Sequence, residues 1–235
     1  MGVPGGAAET LAHSDYPSIC AFLEEHSGLP GPRANLELLT VAAQQLDTGM
    51  ARRLRGEESE YLRCCGVAHL AKEFLEAGSA SVQVKAQLDL THFAADGSWR
   101  VREAVAMAGQ WIGDAEPAAL PEMLRAWWHH PNTLVVRAAV ATICEPRLLG
   151  TEPMARLAVH CCREATEALL DIDPAQRKSP EARVLRKALG YAWSVALVAD
   201  PSQLDDFLAM GGDPDLDWIV KENRSKARLR KLVER

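Results

Sequence analysis

Apolar residues recur along most of this chain at helical steps. Val101, Ala104, Val105, Ala108 and Ile112 form one such series, Val136, Ala139, Val140 and Ile143 a second, and Leu185, Ala188, Leu189, Ala192 and Ala196 a third. Residues at those intervals share one side of a helix and give it a face to bury. Shorter series run through Leu36, Leu39, Ala43 and Leu46, after a capping Asn35, and through Leu62, Cys65, Ala68, Leu70 and Phe74, after an acidic stretch that suits a helix start. The stretch SVQVKAQLDLTHF, residues 81–93, alternates briefly like a strand. Val84, Gln87, Leu88 and Thr91 also fit a helix there, and no other segment offers a partner strand, so a helix is predicted. Further helices are predicted over Ser18 to His26, Glu116 to Trp128, Glu152 to Leu170, Pro201 to Met210 and Asp215 to Leu232. Gly and Pro punctuate the chain at 28–32, 96–98 and 211–212, and Gly49 ends or kinks the helix that follows Asn35. Residues 1–9 read as frayed, and DIDPAQRKSP, residues 171–180, as the longest exposed loop. The fold class is all-α.

A basic residue marks a common register at Arg63, Arg102, Arg137, Arg186 and Lys221, with separations of 39, 35, 49 and 35. Helix pairs repeating at intervals in the thirties to forties are the pattern of a helical solenoid, and the long interval fits an insertion at 171–180. An aliphatic residue precedes each basic one: Leu62, Val101, Val136, Leu185 and Val220. Two places after it stand Cys65, Ala104, Ala139 and Ala188, small enough for neighbouring helices to approach closely. Asn223 and Arg224 break the rule, as a terminal unit facing water would.

The segments SWRVREAV, LVVRAAV, VLRKALGYAWSVAL and DPDLDWIVKENRSKARL resemble HEAT-type repeats, from about Glu57 to Leu232. That resemblance implies a HEAT-like α-solenoid of antiparallel helix pairs, with residues 1–55 as an N-terminal helical region or capping unit and 56–235 as the repeat array. Trp99 and Trp218, each ahead of its basic residue, and the helix carrying Trp193 are similar to features of the DNA alkylation repair glycosylases. Those are all-helical solenoids that bind lesion-bearing duplex in a basic concave groove and typically use an aspartate four residues after a tryptophan. The nearest local match is Trp111-Ile-Gly-Asp114, with a spacing of three.

Charge changes this picture. The net charge is −6, yet residues 221–235 carry seven basic and two acidic side chains, leaving 19 basic against 30 acidic in the preceding 220. An acidic body repels phosphate backbones, while a short basic segment attracts them locally. No apolar run reaches the length of a membrane helix, and the opening residues lack the basic start and apolar core of a secretory leader. Of the six cysteines, four form vicinal pairs inside predicted helices, which is poor material for a disulfide framework. A reducing, cytoplasmic setting is the expectation.

The candidate chemistry is thin. Arg63, Arg102, Arg137 and Arg186 supply either a ladder of positive charge for phosphates or an acidic peptide, or a set of structural bridges to the neighbouring turn through residues such as Asp96 or Glu181. A residue repeated in one register favours the structural role. Trp127 and Trp128, followed by His129 and His130, make a concentrated aromatic patch; two adjacent tryptophans are not expected to enter one core, so one is expected to be exposed as a binding anchor. In the glycosylase reading Trp111 stacks on a damaged nucleotide and Asp114 opposes the positive charge of an oxocarbenium-like sugar; otherwise Trp111 packs at a helix end and Asp114 is solvated. Cys65 with His69, and His160 with Cys161 and Cys162, are partial zinc sets. Zinc wants four convergent ligands, and His69 aligns with the packing positions Ala108, Ile143 and Ala192, so no metal is predicted. No glycine-rich phosphate loop, nucleophile elbow or HExxH motif occurs, and no cofactor is predicted. The functional expectation is a non-enzymatic scaffold for a protein or peptide, with Arg63, Arg102, Trp127, Trp128, Arg137 and Arg186 at the binding surface. The alternative is a DNA-lesion binding protein or alkylpurine DNA glycosylase acting on duplex DNA.

Overall fold

The computed structural model describes residues 2–234, and the regular structure among them is entirely helical. No helix among the described residues is long and apolar enough to cross a membrane. The chain divides into two compact units, Met1–Glu116 and Pro117–Arg235. The boundary expected between residues 55 and 56 falls inside the first.

The first unit holds α1 (Ala7–His13), α2 (Tyr16–Glu25), α3 (Leu36–Gln45), α4 (Thr48–Leu54), α5 (Glu60–Ala68), α6 (Leu70–Leu75), α7 (Ala80–Phe93) and α8 (Trp99–Ala115). Four of these helices start at short polar side chains that accept from amides in the first turn. Asp15 caps α2, Asn35 caps α3 through the Leu38 amide at 3.1 Å, Asp47 caps α4 through Gly49 and Met50, and Ser98 caps α8 through Arg100. The helix α5 is the core, packed by α2, α3, α4 and α8, and all its residues from Tyr61 to Ala68 except Arg63 are buried. Its Gly66 has a steric reason: a Cβ there would stand 2.5 Å from the Ala51 carbonyl oxygen, so α4 and α5 touch backbone to backbone.

Two expectations for this unit are corrected. Residues 7–9 begin a helix, because Ala7 and Leu11 are buried and α1 packs on α3. Gly49 neither ends nor kinks a helix; α3 stops at Gln45 and Asp47 opens a new one that contains Gly49. Residues 81–93 are helical, as predicted.

The second unit holds α9 (Leu120–Trp128), α10 (Thr133–Ile143), α11 (Glu152–Leu170), α12 (Pro180–Ala199), α13 (Leu204–Ala209), α14 (Pro214–Arg224) and α15 (Ala227–Val233). Its centre is α12, packed by α10, α11, α14 and α15. The Trp218 indole of α14 lies on Gly190, where a Cβ would be 2.7 Å from the ring. The Arg186 guanidinium also lies over that ring, 4.0 Å from its centroid, and pairs with Asp215 at 2.6 Å.

Asn223 was expected at a water-facing end and is instead fully buried. Its amide accepts from the Ser194 backbone N–H at 2.8 Å and donates to the Leu189 and Ile219 carbonyls, both at 2.8 Å, so a polar residue splices α14 to α12 with its hydrogen-bonding capacity met. The single terminal helix expected to run to Leu232 is broken at Ser225 and Lys226. The connector at 171–180 is clasped: Arg177, with its side chain 8% exposed, donates to the Ile172 and Leu170 carbonyls and to Asp213 at 2.5 Å. Asp213 in turn caps α14, and the Arg177 contact holds its carboxyl below the usual carboxylate range.

Candidate functional site

The aligned arginines are engaged with their own surroundings. Arg63 donates to the carbonyls of Glu57 and Glu58, both at 2.9 Å, and Arg102 donates to those of Asp96 and Gly97 at 2.5 and 3.1 Å. The offset is the same in both cases, six and five residues back, so each guanidinium ties down the turn that feeds its own helix. Arg63 also reaches Asp96 of the next turn at 3.5 Å. Arg186 is held by Asp215 and Trp218 as described, and Arg137 is half-buried on α10. A neighbouring bridge, Glu60 to Arg100 at 2.7 Å and to the Ser98 hydroxyl at 2.7 Å, reinforces the contact between the starts of α5 and α8.

The tryptophan pair overturns its expectation. Trp127 is 0% exposed and Trp128 5%, because α9 is flanked by both α10 and α11 and so buries two adjacent residues on different sides. Trp128 meets His160 and His129 edge to face, with centroids 5.1 and 5.9 Å apart. Neither indole is a surface anchor.

The partial zinc sets are also spent internally. His69 is fully buried, with Nδ1 2.9 Å from the Ala43 carbonyl and Nε2 3.5 Å from the Thr48 hydroxyl. A carbonyl only accepts, so Nδ1 carries the proton and Nε2 is the acceptor. Cys65, Cys161 and Cys162 are buried, and burial pushes each of their thiols well up.

The same His69 carries a pH dependence. Burial draws its pKa down to about 4 from the ordinary 6.5. The unfolded chain therefore takes up the proton first as pH falls; stability is complete above pH 6.5 and drains away as pH falls toward 4. The loss attributable to this group reaches about 3 kcal/mol. Urea unfolding across that window should show it, and His69→Gln, which keeps a donor and an acceptor but does not titrate, should flatten the profile relative to the native protein.

A shallow apolar groove of about 320 Å³ opens in the first unit, with the half-buried Trp111 of α8 as one wall. Small residues of three helices form its floor: Ala43, Ala68 and Ala71, with Leu75 beside them. Gln44, Lys72 and Glu76 make a polar rim. The α3 wall is fixed because its last carbonyls are taken, Ala43 by His69 and Gln44 by the Lys72 ammonium at 2.8 Å. Asp114, three residues past Trp111, is exposed at the end of α8 and does not line the groove. A flat indole, an alanine floor and a charged rim suit the reception of one large apolar side chain. In the second unit a hollow of about 340 Å³ is lined by Leu208, Met210, Asp217, Val220, Lys221 and Arg224.

Sequence reading singled out Trp111 but not its company. Ala43, Gln44 and Lys72 carry no motif, and only the packing of α3 on α5 and α6 brings them to α8. No protein-family model matches the chain, and no curated protein matches its sequence.

Proposed function

We propose that this chain is a non-enzymatic, HEAT-like recognition scaffold, built as a solenoid of helix pairs, that binds a basic segment of another protein at the Trp111 groove. The observation that carries the reading is the groove itself: a half-buried tryptophan over an alanine floor. The solenoid is supported by the repeated clasp in which Arg63 and Arg102 each hold the turn before their own helix. That duty takes these arginines away from ligand binding and gives them to holding the turns.

Charge selects the partner. Residues 1–116 carry nine basic and sixteen acidic side chains, a balance of −7. Such a balance draws a basic segment toward this unit and repels a nucleic-acid backbone. The partner's anchor is one leucine-sized or aromatic side chain among lysines or arginines. Selection from a displayed peptide library should return sequences of that kind, and Trp111→Ala should weaken their binding at least about tenfold while leaving the fold intact. Acidic or featureless selections, or peptides indifferent to Trp111→Ala, would sink the reading.

A further inference from the structure

We infer that Cys144 and Cys162 are an oxidation site, closing to an intramolecular disulfide when the folded protein meets a peroxide. Cys144 caps the C-terminal end of α10 and is half-buried; Cys162 lies on α11 and is fully buried. Their sulfurs stand 3.5 Å apart, in S–H···S contact. Closing to the S–S bond length of about 2.05 Å requires the two sulfurs to approach by roughly 1.5 Å. Cys161 is also buried, but it points from α11 in another direction, as successive residues of a helix must.

The exposures set the order of events. Cys144 is half-buried and so the more accessible of the two, whereas burial holds the Cys162 thiol protonated and hidden. The peroxide therefore oxidises Cys144: its sulfur attacks one peroxide oxygen, the O–O bond breaks, and Cys144 becomes a sulfenic acid with release of an alcohol, or of water if the oxidant is hydrogen peroxide. The Cys162 sulfur then attacks the Cys144 sulfur, the S–O bond breaks, and the hydroxyl leaves with the Cys162 proton as water. Two thiols lose two electrons and the peroxide gains them. The bond ties the end of α10 to the middle of α11 around the segment 145–161.

Folded protein treated with hydrogen peroxide and quenched reads this directly, one portion unfolded for thiol titration and another alkylated in denaturant and digested for mass spectrometry. Free thiols titrated after unfolding should fall from six to four. Mass spectrometry should find one cross-linked pair joining the peptides of Cys144 and Cys162, reversed by dithiothreitol. Cys161→Ala should keep the link and Cys144→Ala should abolish it. Six surviving thiols, a link through Cys161, a link between molecules, or Cys144 carried on to its sulfinic acid without a bond to Cys162 would each overturn the inference on the native protein alone.

Discussion

Replacing Arg55 by alanine should cost about 3–5 kcal/mol of folding stability, a large share of what a domain of this size possesses. Arg55 follows α4 and its side chain is only 6% exposed. From there it reaches three helices. Nε donates to the Gly66 carbonyl of α5 at 3.0 Å, one terminal nitrogen pairs with Glu73 of α6, and the other reaches Asp89 of α7 at 3.3 Å. Burial lowers its pKa to about 10, against the opposing pull of Asp89, and the guanidinium stays charged at neutral pH. Without it Glu73, whose side chain is 10% exposed, becomes a buried carboxylate that has lost its cation. The Gly66 carbonyl also loses its donor. Lysine should rescue little, since a single ammonium cannot fork to three acceptors around it. Urea unfolding of Arg55→Ala and Arg55→Lys measures both; a loss below about 1 kcal/mol would mean the site behaves as a solvated surface pair.

Trp127→Ala should be comparably damaging, at about 3–5 kcal/mol, because it empties a fully buried indole site between α9 and its neighbours. The size of the effect separates two roles for the tryptophan pair. An exposed anchor would leave stability within about 0.5 kcal/mol and abolish partner binding instead. Calorimetry or urea unfolding of Trp127→Ala beside Trp111→Ala should show the first strongly destabilised and the second close to native.

These residues show which features were legible in the sequence. A helix start was readable where a short polar residue precedes a periodic run, as at Asn35, because capping is a local transaction. The register of Arg63 and Arg102 was readable for the same reason, since each serves carbonyls only five and six residues away. Arg55 lies outside that register and its partners are 11, 18 and 34 residues distant, so nothing near it signals a buried cation. Trp127 and Trp128 misled because exposure was judged from one helix having one buried side, and α9 has two. Asn223 misled in the opposite direction: polarity suggested water, and two helices supplied the hydrogen bonds instead. Of the candidate groove, only Trp111 stood out along the chain.

The proposed function stands or falls on whether the Trp111 groove takes a basic, apolar-anchored protein segment. Fluorescence anisotropy tests it most directly, with a labelled peptide bearing one leucine among lysines and a labelled duplex containing an abasic-site analogue, each titrated with native protein and with Trp111→Ala across one salt series. The peptide should bind, salt should weaken it, Trp111→Ala should weaken it at least about tenfold, and the duplex should bind more weakly than the peptide at every salt concentration. Tight, lesion-preferring duplex binding with no response to the peptide would contradict the proposed function.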